Sequence, residues 1–190
     1  MAHVVIIGAS TGGLPAAYDL RATLGKNHLI TVISNSDTFQ FVPSNPRVAV
    51  GWRSRQDTTF ELAPYLAKKH IAFIPVAAQE IKPDTNQVIL ADGGVLDYDY
   101  PVIATGPKLA FDEVEGRGPR GHTHSVCTID HAEKTYRAWQ AFLEDPGYFV
   151  VVDCGTLGES SIESELCTGI FSACKLLTKF DKQSDIEPKA

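Results

Sequence analysis

The densest set of reactive side chains is His122-Thr123-His124-Ser125-Val126-Cys127, followed by His131. A thiol among imidazoles supports two chemistries. Read as His-x-His-x-x-Cys-x-x-x-His, the cluster offers zinc ligands, but its spacings match no common structural zinc pattern. His131 also falls in the first turn of a helix that Asp130 is expected to cap. No metal site is therefore expected. The other chemistry is that of the Cys127 thiol. A thiol reacts as the thiolate, and a neighbouring imidazolium favours that form. The plain alternative is an inert, buried thiol.

A second chemistry is carried by Gly8-Ala9-Ser10-Thr11-Gly12-Gly13. The β-branched run Val4-Val5-Ile6-Ile7 precedes it. Leu14, Ala16, Ala17, Leu20 and Leu24 follow at helical spacing, and Leu29-Ile30-Thr31-Val32-Ile33 reads as a second buried strand. Strand, glycine turn, helix and strand form the βαβ unit that holds a dinucleotide. Gly8 lets the chain turn sharply, and Gly13 lets the helix pack close to the sheet. The N–H groups at the helix start, with its dipole, then favour a pyrophosphate. The G-x-G-x-x-G fingerprint is altered, because Ser10 stands at the middle glycine. Its hydroxyl suits a phosphate; its Cβ crowds one. Past the second strand, Ser34-Asn35 stand where an acidic residue usually holds a ribose, with Asp37 as second choice.

The rest of the chain supplies the positioning elements. Thr38-Phe39-Gln40-Phe41-Val42-Pro43-Ser44-Asn45-Pro46 alternates two aromatics, then carries two prolines that stop regular structure. These residues suit either a core strand end with a loop or an apolar wall that packs on a flat ring. Thr59 to Lys69 reads as a short helix, with Pro64 early or marking its true start. Ile71 to Ile74 is expected as a third parallel strand. Val76 to Ile81 and Gln87 to Leu90 form an antiparallel meander, turning at Pro83 to Asn86 and Asp92 to Gly94. Tyr98 to Ala104 is a further strand, ending at the bare backbone of Ala104-Thr105-Gly106-Pro107. Asp130 to Leu143 reads as a helix with Ala132, Tyr136, Trp139, Phe142 and Leu143 on one face.

The bulk numbers narrow the class. At 190 residues, 44% hydrophobic and 21% charged, the chain suits one ordinary soluble domain or slightly more. A net charge of -6 without a basic stripe argues against nucleic-acid binding. No apolar run reaches membrane-spanning length. The N-terminus enters a strand directly, so no secretory signal is expected. Cys127, Cys154, Cys167 and Cys174 are then expected as free thiols in the cytoplasm.

From residue 1 to about 147 the chain resembles the sulfide:quinone oxidoreductase group of two-dinucleotide-binding flavoproteins. That group includes flavocytochrome c sulfide dehydrogenase and type II NADH dehydrogenase. The resemblance rests on Val4 to Ala9 with Thr11-Gly12-Gly13, on Phe39 to Pro46, on Val102 to Phe111 and on Cys127 to Ala132. It implies FAD as cofactor. Gly8, Ala9, Ser10, Thr11, Gly12 and Gly13 would cradle its pyrophosphate, and Ser34 and Asn35 its ribose. Val42 and Pro43 would lie near the flavin, which favours the apolar-wall reading of the Phe39 loop. Ala77 would offer backbone to the adenine, and Thr105 and Gly106 would close over the middle. Cys127 matches a family cysteine near the flavin, an accessory position. In the family, sulfide is captured as a persulfide on cysteines, and electrons pass to FAD and then to quinone.

Past Tyr148 the resemblance stops. Phe149 to Val152 suggests a strand, and Asp153-Cys154-Gly155-Thr156-Leu157-Gly158 repeats the glycine frame with Asp153 at its first position. A carboxylate there repels phosphate. Ile162 to Phe180 can be drawn as a helix. The next family cysteine would fall near Glu159 or Ser160 and is missing. The third redox cysteine, the quinone pocket and the membrane-docking C-terminal helices are missing too. The expected organisation is an FAD-binding Rossmann-like domain over 1–147, an incomplete second βα stub over 148–180 and a disordered tail over 181–190. The expected fold class is α/β, a parallel sheet with an antiparallel β-meander. The expected function is that of an FAD-dependent, sulfide:quinone-type oxidoreductase that is truncated and prone to self-association. The alternatives are a non-catalytic nucleotide-binding remnant and an NADH:acceptor flavin reductase.

Overall fold

The computed structural model describes residues 1–111 and 115–147. They fall into two compact units. One joins Met1–Phe41 to Thr59–Ala110; the other joins Val42–Thr58 to the described residues from Phe111 onward.

The first unit is built on β1 (His3–Ile7), β2 (Leu29–Ile33), β5 (Ala72–Ile74) and β9 (Tyr100–Ile103). Their order is β5-β2-β1-β9, and every pairing is parallel. A parallel sheet covered on both faces demands continuous apolar strands rather than alternating ones. Val4-Val5-Ile6-Ile7 meets that demand. Val4 and Ile6 enter the core shared with Leu14 and Ala17 of α1 (Gly13–Leu24) and with Leu66 of α3 (Ala63–Lys68). Val5 and Ile7 point the other way, against Val88, Leu90 and Tyr98. Val88 and Leu90 belong to an antiparallel meander of β6 (Ala78–Lys82), β7 (Gln87–Leu90) and β8 (Val95–Asp97). The layers are thus helix, parallel sheet and antiparallel sheet, the α/β architecture expected from the sequence.

Two local expectations are corrected. Thr59 to Lys69 is not one helix. Thr59–Glu61 is a strand, β4, paired antiparallel with β3 (Thr38–Gln40), and Phe60 lies opposite Phe39. The helix begins only at Ala63, with Pro64 in its first two positions, where a missing N–H costs little. The prolines of the Phe39 loop do not end regular structure either. Val42–Ser44 forms a 3-10 turn, and Asn45–Ala49 forms α2, with Pro46 near its start.

The second unit packs α2 on α4 (Ile129–Glu144) through Val48, Ala49, Ile129 and Ala132. Gly51, at φ +79, passes under Tyr136, and a Cβ there would lie 2.5 Å from the ring. The cap of α4 is Thr128, not Asp130: the Thr128 hydroxyl accepts the His131 N–H at 3.2 Å. Ile129 is the first helical residue and is buried against α2. Of the apolar face expected on α4, only Ala132 is buried; Tyr136 and Leu143 are 38% and 52% exposed. The strand, second glycine frame and helix expected after residue 148 lie outside the described residues, as does the stub they would form.

Candidate functional site

The four parallel strands all end on one edge of the sheet, and the residues singled out for a dinucleotide follow those ends. Gly8 follows β1, Ser34 follows β2, Ala77 lies shortly after β5, and Ala104, Thr105 and Gly106 follow β9. The ladder continues into these turns. The N–H of Gly8 donates to Ile33 at 2.8 Å, that of Ser34 to Ile74 at 3.1 Å and that of Ala104 to Ile7 at 2.8 Å. Ligands of open α/β sheets bind at this edge.

The backbone is crowded where the fingerprint requires it. Gly8 has φ +110, and a Cβ there would overlap the Ala104 carbonyl oxygen and lie 2.6 Å from its carbon. A Cβ on Gly13 would overlap the Gly8 carbonyl oxygen and lie 2.9 Å from its carbon. Both glycines are therefore fixed by close backbone approach. Gly12 is not: its φ is ordinary, and a Cβ there would meet only the Ala104 side chain at 3.8 Å. Ser10 is exposed and needs no left-handed backbone. Its carbonyl accepts the Leu14 N–H at 3.1 Å, which opens α1.

The start of α1 is suited to an anion. No side chain caps it, and the first turn holds no acidic residue. Helix geometry leaves the earliest N–H groups without i−4 acceptors. These are the donors a pyrophosphate would take. Beside this turn lies an apolar hollow of about 290 Å³, lined by Thr11, Leu14, Pro15, Tyr18, Phe39 and Phe41. Phe39 continues into a ring cluster, with Phe60 at 4.8 Å and Tyr65 at 5.0 Å from Phe60. Phe39 and Phe41 thus line one side of this hollow, while Phe39 also packs on the core shared by Val4 and Ile6. Ser34, Ala77, Thr105 and Gly106 do not line that hollow.

After β2, the Ser34 hydroxyl accepts the Ser36 N–H at 3.2 Å, and Asp37 accepts the Thr38 hydroxyl at 2.9 Å. The Ala77 carbonyl already accepts the Ala91 N–H at 2.9 Å. Val42 and Pro43 belong to the second unit, as does Cys127.

Cys127 is an exposed free thiol one residue before the Thr128 cap, and its N–H donates to Ser125 Oγ at 3.1 Å. His131 turns its ring edge-on to Phe111, at 5.6 Å, and its Nδ1 is buried with no hydrogen-bond partner. The imidazole–thiol pair suggested by the spacing is therefore not made through that nitrogen. Among the described residues, no three His, Cys, Asp or Glu side chains gather as a metal site.

The clearest charge cluster was missed from the sequence. Arg55 grips Glu133 with both arms of its guanidinium, Nε to Oε1 at 2.9 Å and Nη2 to Oε2 at 2.7 Å, and also bonds Asp130. Its hydrogen bond holds the Glu133 carboxyl below the usual range. Arg53 Nη1 donates to the buried Ser44 hydroxyl at 3.0 Å. Partners 75–78 residues apart leave no local sequence signal.

Comparisons with known proteins agree with this geometry. The chain is 42% identical over 149 residues to the sulfide-quinone reductase of Aquifex aeolicus, covering 78% of this chain and 34% of that protein. It is 29% identical over 159 residues to the mitochondrial sulfide:quinone oxidoreductase of Dictyostelium discoideum, covering 82% and 34%. The solved structure of the Aquifex aeolicus sulfide:quinone oxidoreductase superposes with a TM-score of 0.71 over 77% of this chain and 33% of that one. The chain spans about a third of the length of these relatives. Residues 2–158 match the model of the pyridine nucleotide-disulphide oxidoreductases, which are FAD-dependent flavoproteins. The chain belongs to the pyridine nucleotide-disulphide oxidoreductase family.

Proposed function

We propose that this chain is the FAD-holding part of a sulfide:quinone-type oxidoreductase. The observation that carries the FAD site is the approach of Gly8 to Ala104 beside an uncapped helix start. The 42% identity to a sulfide-quinone reductase supports the substrate class. In this reading Ala9, Ser10, Thr11 and Gly12 offer backbone and hydroxyl donors to the pyrophosphate, between the fixed Gly8 and Gly13. Ser34 and Asn35 hydrogen-bond the ribose, and Ala77 meets the adenine. Thr105 and Gly106 border the middle of the cofactor, and Val42 and Pro43 flank its flavin end. Bound FAD supplies a two-electron acceptor. Cys127, exposed just before α4, is the thiol of this chain that meets sulfide, at the position that is accessory in the family, with quinone as the final acceptor.

Among the described residues, no helix is long and apolar enough to cross a membrane. A cytoplasmic location belongs to this reading. So does self-association of the chain, supported by Tyr100 and Ile103 of β9, which are 64% and 66% exposed at the edge of the sheet. A second reading is that the chain binds FAD without turnover. The test is the visible spectrum of the purified chain with FAD, followed by anaerobic sulfide. Flavin absorbance that bleaches supports the oxidoreductase, and bound flavin that stays oxidised supports the second reading. A colourless protein that takes up no FAD overturns both.

A further inference from the structure

The loop between α2 and β4 carries two arginines that reach in different directions. Arg53 donates to Ser44, the residue next to Pro43. Arg55 grips Glu133 and Asp130, in the first two turns of the helix that Cys127 precedes. The loop itself is braced. The Trp52 and Arg53 N–H groups both donate to the Arg47 carbonyl, at 2.8 and 3.3 Å. Asp57 accepts the Ser54 N–H and hydroxyl at 2.7 and 2.8 Å. Arg53 and Arg55, two positions apart in this braced loop, therefore tie the Val42-Pro43 turn to the base of α4, and all of these groups lie within one compact unit.

We propose that Arg53 and Arg55 are positioning residues that fix the spacing between the Val42-Pro43 turn and the Cys127 thiol. This rests on the reading of Val42 and Pro43 as flavin neighbours and of Cys127 as the reacting thiol. A planar fork gripping one carboxylate through two parallel bonds sets orientation as well as distance, which an ammonium does not. Neither arginine touches the thiol. Their effect is geometric: the bridge adds oriented, charged contacts to the apolar packing of Val48, Ala49, Ile129 and Ala132 and of Gly51 under Tyr136.

The test compares the full 190-residue wild-type chain with Arg53→Gln, Arg55→Gln and Arg55→Lys. The first readout is peptide-resolved hydrogen exchange without FAD. Each Gln variant is expected to speed exchange across residues 42–58 by about tenfold, a local opening that leaves β1 and β2 unchanged. Arg55→Lys should fall between, and the swap Arg55→Glu with Glu133→Arg should restore protection. Unchanged exchange over 42–58, or an equal rise in β1 and β2, overturns the proposal. The second readout is sulfide bleaching of the FAD-loaded chain, expected to slow about tenfold in the Gln variants while FAD affinity stays within about twofold. Equal bleaching rates, with Cys127→Ser inactive, overturn the positioning role alone. A Cys127→Ser variant that bleaches like wild type instead overturns the reading of Cys127 on which the proposal rests.

Discussion

The Gly8 α-carbon sits so close to the Ala104 carbonyl that a side chain on Gly8 would collide with backbone, 2.6 Å from the carbonyl carbon. The end of one parallel strand thereby locks the turn of its neighbour. Backbone atoms have no rotamer to escape to, so a substitution there must move a strand. Gly8→Ala should destabilise the chain by about 2–4 kcal/mol, from the left-handed backbone and the overlap together. Urea unfolding of the two proteins measures this, and an equal midpoint would contradict it.

Gly12 and Gly13 form a contrast inside one turn. Gly13→Ala should cost about as much as Gly8→Ala, because its Cβ would strike the Gly8 carbonyl. Gly12→Ala has room and ordinary backbone, so it should shift stability by under about 0.5 kcal/mol. The same unfolding series reads both, and similar losses at the two positions would contradict the contrast.

Ser10 is the departure from the fingerprint. The middle glycine lets phosphate reach the backbone, and Ser10 is exposed with ordinary backbone. Two outcomes separate the roles of its side chain. Ser10→Gly should tighten FAD binding by about threefold to tenfold if crowding dominates, the balance expected from an added Cβ at a close approach. Fluorescence titration of FAD measures it, and weaker binding would assign the hydroxyl a phosphate contact instead.

Arg55 and Glu133 make the attachment of residues 42–58 depend on pH. The hydrogen bond from Arg55 holds the Glu133 carboxyl below its ordinary value of 4.5. A carboxyl depressed in the folded state stabilises fully above its unfolded value, and that contribution is lost as pH falls through the folded value. Asp57, held down by the Ser54 N–H and hydroxyl, acts in the same direction. Glu133→Gln should therefore lower stability at pH 7 by about 1 kcal/mol or less, since the pair is partly solvated. The gap between variant and wild type should close as pH falls from about 4.5 through the lower folded value. A gap that does not change with pH would contradict this.

The exposed edge of β9 gives a prediction on assembly. Tyr100 and Ile103 are 64% and 66% exposed there. Sedimentation at rising concentration should show self-association of the wild-type chain, reduced by about tenfold in affinity in Ile103→Lys, since charge blunts a sheet edge. Monomers at all concentrations would contradict it.

The sequence revealed most where the signal was local. Val4 to Gly13 announces strand, turn and helix within ten residues, and the meander turns carry their own Asp, Asn and Gly. The buried parallel strands β1 and β2 follow from runs that are apolar on both faces. What stayed hidden depends on distant partners. Phe60 reads as helical until it is set opposite Phe39, twenty-one residues earlier. Thr128 and Asp130 are both good helix caps by residue type, and the cap bond is made by Thr128, whose hydroxyl accepts the His131 N–H. The signal for α2 was present, in Ser44 followed by Pro46, but two prolines in four residues read more naturally as a break. Arg53 and Arg55 look like ordinary surface charge until Ser44 and Glu133 are placed beside them.

The central claim is that the Gly8 turn holds FAD in this chain. Titration of FAD into the purified protein, followed by flavin fluorescence and the visible spectrum, tests it directly. Saturable binding with one flavin per chain is expected, weakened at least about tenfold in Gly8→Ala even where that variant remains folded by circular dichroism. A folded wild-type chain that leaves the flavin spectrum unchanged, or equal binding by folded Gly8→Ala, would contradict it.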